Sequence, residues 1–191
     1  MEETIRERLE DALACITEAR DRLTGPLAEA ARIIVDALRQ GRGVYIFGNG
    51  GSAADAQHMT GELVGRFLAD RQSLRAVALT TDTSILTAVA NDLGFEEIFA
   101  RQLEGLAGAG DVAVVLSTSG NSPNILRGLH QARQQGMSTV VLTGRGGGKS
   151  AELADVLLDV DSTLSPRIQE VHAVLYHTLC ELVEREFIGN D

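Results

Sequence analysis

The sequence predicts an α/β fold: a doubly wound three-layer sandwich on a five-stranded parallel sheet, with two extra helices ahead of the first strand. Three observations carry this. Short apolar runs of strand length recur along the chain, as in Val44-Tyr45-Ile46-Phe47 and Val112-Ala113-Val114-Val115-Leu116. Segments of helical period separate them, the pattern of a parallel sheet covered on both faces. Two of the runs end in small residues that open a helix, Gly48-Asn49-Gly50-Gly51-Ser52 and Ser117-Thr118-Ser119-Gly120-Asn121-Ser122. In doubly wound folds, ligands bind beyond such strand ends.

Each element has its own signal. Residues 3–23 carry Ile5, Leu9, Ala12, Ile16 and Leu23 at helical spacing. Gly25-Pro26 then punctuates the chain, and Leu27, Ala30, Ile33, Ile34 and Leu38 form the stripe of a second helix to about Gln40. Two helices are more than one small sheet needs for cover, so beyond covering the sheet they are expected to contact another subunit; the alternative is that they only cover the sheet. Strands are expected near 43–48, 75–80, 111–116, 138–143 and 155–160, and helices at 52–68, 83–90, 95–107, 122–135 and 165–187. Ser165 is expected to cap the last helix, with Pro166 in its first turn. With no linker or internal repeat, residues 1–191 read as one domain, divided into N-terminal helices (1–41) and an α/β core (42–191).

Composition narrows the function. Hydrophobic residues make up 44% of the chain, enough for a packed core rather than disorder. A net charge of -10, from 27 acidic and 17 basic residues, argues against general nucleic-acid binding, which needs clustered cations. Cys15 and Cys180 lack CxxC spacing and are read as buried thiols of a reducing compartment. There is no apolar run long enough for a membrane span and no secretory pattern at the N-terminus, so the expected location is the cytoplasm.

The two glycine and hydroxyl runs carry the first chemistry. Backbone N–H groups gathered at a helix N-terminus bind phosphate. Ser117, Thr118, Ser119 and Ser122 add hydroxyls without a lysine, which suits a phosphorylated small molecule better than a nucleoside triphosphate. A third run, Gly144-Arg145-Gly146-Gly147-Gly148-Lys149, lacks phosphate-loop spacing and reads as a turn. His58 and Glu62 lie four apart on one helix face, and Gln169 and His177 eight apart on another. If those helices meet, the four side chains surround one divalent cation; otherwise the histidines are ordinary half-buried polar residues. Asn91-Asp92 reads either as a helix stop or as a sugar-binding pair. His130 reads as solvated, His172 as off the face of His177, and Arg66 as a partner of either phosphate or an acid.

Taken together, these segments resemble a known family. Gly48 through His58, Glu62-Leu63-Val64-Gly65-Arg66-Phe67, Ala90-Asn91-Asp92-Leu93-Gly94-Phe95, Ser117 through Ser122, and Arg167-Ile168-Gln169-Glu170-Val171-His172 are similar to the sugar isomerase (SIS) domain of phosphoheptose isomerases. The resemblance spans nearly the whole chain. It implies an aldose–ketose isomerase that converts sedoheptulose 7-phosphate to D-glycero-D-manno-heptose 7-phosphate through an enediol, feeding envelope heptose synthesis. It further implies that Ser117, Thr118, Ser119 and Ser122 grip the phosphate, and that Asn49, Gly50, Gly51, Ser52, Asn91, Asp92, Glu62 and Gln169 contact the substrate. One zinc would be held by His58, Glu62, Gln169 and His177, with Glu62 as base and His177 as its acid/base partner. The assembly would be a homotetramer with active sites between subunits. Pro166 departs from relatives that carry Asp there. The rival within the fold is a non-catalytic module that associates with the bacterial replication initiator; such relatives lack the acid and the histidine that this chain keeps at Glu62 and His177.

Overall fold

The computed structural model describes residues 1–189. Its five strands are β1 (Val44–Gly48), β2 (Ala76–Ala78), β3 (Val112–Ser117), β4 (Ser138–Thr143) and β5 (Val156–Asp159), all parallel in the order β2-β1-β3-β4-β5. The helices are α1 (Glu2–Arg39), α2 (Gly51–Val64), α3 (Thr83–Asp92), α4 (Ala100–Leu106), α5 (Pro123–Gln134) and α6 (Ser165–Arg185), with short 3₁₀ turns at Phe95–Glu97 and Gly148–Leu153. This is the predicted α/β sandwich. The segment expected as one helix at 95–107 is instead a 3₁₀ turn followed by α4.

Strand periodicity sorts the core into two layers. Val44, Ile46, Val112, Val114, Leu116, Val140 and Leu142 face α1, α2 and α6. Tyr45, Phe47, Ala113, Val115 and Val141 face α4 and α5. Alternate side chains of one strand thus serve opposite layers.

The N-terminus corrects one expectation. Residues 2–39 form a single helix that runs through Pro26, not two helices broken there. Proline inside a helix loses one hydrogen bond and costs about 3 kcal/mol. Here Ala19, Leu23, Leu27, Ala30 and Ile34 stay in one buried register across Pro26, and this packing against the core outweighs the loss. Before Ala19 the helix buries no residue, and Ile5, Leu9 and Leu13 are 55%, 67% and 65% exposed. Their apolar stripe therefore continues beyond what the sheet can cover.

At the other end, the N-cap of α6 is Leu164 rather than Ser165, and Pro166 occupies the first turn as expected. The Ser165 hydroxyl turns toward Thr118 Oγ1, 3.4 Å away, instead of capping its own helix.

Candidate active site

The strand order places both glycine and hydroxyl loops side by side. β1 pairs with β2 on one side and β3 on the other, and Gly48 at the end of β1 lies opposite Leu116 near the end of β3. The order reverses between β1 and β3, which makes this the switch point where a crevice opens beyond the carboxyl ends.

The first loop is built close to other groups. Gly50 has φ +56°, a conformation that favours glycine, and a Cβ on Gly51 would lie 2.5 Å from Nε2 of Gln169. Ser52 is buried at the start of α2. Asn49 and Asn124 exchange two carboxamide hydrogen bonds, of 2.9 and 2.8 Å, and Asn124 Oδ1 also accepts from the Ile125 N–H. Asn49 thus ties the first loop to the start of α5, just beyond the second loop, and keeps one N–H of its amide for another partner.

In the second loop, Ser117 Oγ accepts from the Gly120 N–H at 3.1 Å, and Ser119 Oγ accepts from the Asn121 N–H at 3.2 Å. A hydroxyl that accepts from the backbone still has its own O–H to donate, and donors are what a phosphate requires. Ser122 stands at the N-cap of α5 without a capping side-chain bond. Gly120 has φ +62°, and a Cβ there would fall 1.9 Å from the Gly147 carbonyl oxygen. The third glycine run, around Gly147, is therefore a floor packed under the serine-rich loop.

Helices α2 and α6 lie side by side and run the same way. Gln169 sits at Gly51, His177 at His58, and Glu184 at the loop after α2. This parallel packing brings one imidazole of α6 to the His58–Glu62 face. His58 Nε2 is 3.0 Å from Glu62 Oε1 and 3.4 Å from His177 Nε2. The ligand atoms of the three residues all lie within 4.8 Å of one another.

The two separations from His58 fit a shared cation. Two ligands at about 2.0–2.1 Å from a tetrahedral zinc are separated by about 3.3 Å. Tyr176 Oη lies 3.2 Å from His58 Nδ1, with the Asp55 carboxylate near enough to act on the phenol. If the phenol donates to the carboxylate, His58 Nδ1–H donates to the phenol and Nε2 presents a lone pair. With His177 carrying its proton on Nδ1 as well, lone pairs of two imidazoles and a carboxylate converge, an arrangement that needs a proton or a cation between them. Burial is the main cause that raises the Asp55 carboxyl above its ordinary range, opposing the pull of His58 and Tyr176. Burial, with Asp55 beside it, pushes the Tyr176 phenol up to about 12. The phenol therefore remains a neutral hydrogen-bonding link.

The other expected residues are placed as follows. Gln169 lies over Gly51, at the crevice end of α6. Asn91 donates to Asp92 at 2.6 Å at the end of α3, where both are exposed. Arg66 pairs with Asp70, the acid partner of the two alternatives. His130 is exposed. His172 is fully buried, with Nε2 3.1 Å from the Thr143 carbonyl oxygen, so it is a core histidine. Cys180 is buried and Cys15 partly so, both as free thiols. Sequence reasoning missed Asp55, Tyr176, Arg71 and Glu184. Tyr176 adjoins His177 in sequence, and Asp55 precedes His58 by almost one turn, so helical spacing was the available signal.

Comparison with known proteins gives the family. Residues 9–144 match the family model described as the SIS domain. The chain is 47% identical over 189 residues to the phosphoheptose isomerase of Trichlorobacter lovleyi, covering 99% of this chain and 96% of that one. It is 56% identical over 158 residues to the Aquifex aeolicus phosphoheptose isomerase, covering 83% of each. The solved phosphoheptose isomerase of Neisseria gonorrhoeae superposes with TM-score 0.92 at 41% identity, over 96% of this chain and 98% of that one. Fold and site define a sugar-phosphate isomerase of the SIS class. Within that class, the chain belongs to the phosphoheptose isomerase family.

Proposed function

We propose that this isomerase converts sedoheptulose 7-phosphate to D-glycero-D-manno-heptose 7-phosphate, the entry to envelope heptose synthesis. The observation that carries the reading is the His58–Glu62–His177 group set beside a crevice with a hydroxyl-lined phosphate loop. Its chemistry is that of proton transfer between adjacent carbons, and the relatives' names supply the sugar.

In the proposed pose the hydroxyls of Ser117, Thr118, Ser119 and Ser122 hold the phosphate. Asn49, Gly50, Gly51, Ser52 and Gln169 line the sugar's path from that loop to α2, and Asn91 and Asp92 contact the sugar hydroxyls. Glu62 removes a proton from C1 while His177 delivers one to the C2 oxygen, giving the 1,2-enediol. Glu62 then returns its proton to C2, and His177 takes the proton of the C1 hydroxyl as the aldehyde forms. Both residues end as they began.

His58, Glu62 and His177 fit a zinc ion, and Gln169 is proposed as its fourth donor through a rotamer that swings away from Gly51. When bound, such a cation supplies Lewis acidity toward the sugar's carbonyl and hydroxyl oxygens. Glu62 has two carboxylate oxygens, so facing the histidines with Oε1 leaves the second for proton transfer. A homotetramer is proposed on the exposed stripe of α1 and on α3, which buries none of its own residues. No helix among the described residues is long and apolar enough to cross a membrane, consistent with the proposed cytoplasmic location.

The test is incubation of zinc-loaded protein with sedoheptulose 7-phosphate, followed by NMR. Growth of aldose signals supports the reading. Their absence in folded, loaded protein overturns it and leaves the binding-module alternative to be tried.

A further inference from the structure

We propose that the buried pair Arg71–Glu184 is a positioning device for Glu62 and His177; this rests on the isomerase reading above. Among the described ion pairs it is the one with both side chains almost fully enclosed, at 0% and 3% exposure. Arg71 Nε approaches Glu184 Oε1 to 3.4 Å. A buried ion pair is weak evidence for stability, so its other contacts decide what it does.

Those contacts lead to the reacting residues from two sides. Arg71 Nη2 donates to the Glu62 carbonyl at 2.7 Å, and Nη1 donates to the carbonyls of Gly65 and Gln72 at 3.2 and 2.9 Å. Glu62 lies in the last turn of α2, where carbonyls lack helical partners and favour a cation. The guanidinium therefore closes the turn that carries the Glu62 carboxylate. Glu184 Oε1 accepts from the Phe67 N–H at 2.8 Å, and Oε2 accepts from Leu68 and Ala69 at 2.6 and 3.0 Å. Phe67, fixed in this way, stacks on the His177 ring with centroids 5.8 Å apart and planes 28° apart. Glu184 and His177 lie seven residues apart on α6, two turns along the same face. One carboxylate thus anchors the ring that seats the imidazole, and its partner cation anchors the turn that seats the base.

The test compares Arg71→Lys and Glu184→Gln with the parent at a temperature where circular dichroism shows all three folded. Lysine keeps the charge but loses the fork that reaches three carbonyls. Three quantities are read: kcat and KM for sedoheptulose 7-phosphate, zinc affinity by competition with a chelating dye, and the ¹⁵N shifts of the His58 and His177 rings. Removing supports of this kind costs about ten- to a hundredfold in activity or metal affinity. The expected result is such a fall in kcat with KM within threefold, weaker zinc binding, and displaced imidazole shifts. Parent-like kcat, zinc affinity and ring shifts in folded variants would overturn the proposal. If the variants do not fold, Phe67→Leu carries the test, because it leaves the ion pair intact and removes only the ring against His177; unchanged kcat and His177 shift there also overturn it. If the parent itself does not isomerise the sugar, the functional reading fails separately, and zinc affinity and ring shifts still judge the positioning role.

Discussion

His172 gives a prediction whose size follows from its surroundings. It lies five residues before His177 on α6, yet it is fully enclosed, with Nε2 3.1 Å from the Thr143 carbonyl oxygen and Nδ1 without a partner. Burial is the dominant influence and lowers its pKa from 6.5 to about 4, against the smaller opposing effect of the Thr143 bond. As pH falls below 6.5 the unfolded chain takes up this proton while the folded chain refuses it. Stability supplied by the neutral ring is therefore complete above about pH 6.5 and is lost progressively as pH falls toward 4. Between pH 7 and pH 5 the loss is about 2 kcal/mol for these two pKa values. The perturbation is His172→Gln, which keeps an amide donor for the carbonyl but cannot titrate. Urea unfolding at fixed protein concentration, measured at pH 7, 6 and 5, gives the stability of both proteins. The difference between parent and variant should shrink by about 2 kcal/mol over that range. A difference constant from pH 7 to pH 5 would show that His172 titrates normally and is not sealed in the core.

Other consequences are as direct. Ser119→Ala combined with Ser122→Ala should weaken sedoheptulose 7-phosphate binding at least about tenfold, since each charge-assisted bond is worth roughly 1.5–3 kcal/mol; calorimetry in a Glu62→Gln background reads it without turnover. Saturating zinc should raise the melting temperature of the parent, by linkage worth about 2.7 kcal/mol at a hundred times its dissociation constant. In His177→Ala that rise should largely vanish. Leu9→Glu combined with Leu13→Glu should reduce the assembly's mass by light scattering while leaving the helical circular dichroism in place.

The fold was legible where local pattern and packing agree. The β1 and β3 runs are almost wholly apolar and β4 has Val140-Val141-Leu142 at its centre, because both faces are covered, and each strand begins and ends within a residue or two of its expected place. Pro26 misled because a local breaker competes with a buried stripe that extends on both sides of it, and the stripe prevails. Ser165 misled because its hydroxyl has a tertiary partner in Thr118, which spacing along α6 cannot reveal. At the site, helical spacing exposed His58 with Glu62. Their meeting with His177 depends on parallel packing of α2 against α6, a tertiary fact. Arg71 and Glu184 stayed hidden for the same reason. One lies in a polar loop and the other among surface-like charges at the end of α6, and only folding encloses them together.

The central claim is that Glu62 moves the proton. The most direct measurement is turnover of sedoheptulose 7-phosphate by zinc-loaded parent and Glu62→Gln proteins, followed side by side by NMR. An amide cannot accept the C1 proton, so the account predicts conversion by the parent and a loss of about a hundredfold to ten-thousandfold in the variant, with the fold retained. Near-parental turnover by folded Glu62→Gln would contradict it and move the base elsewhere in the crevice.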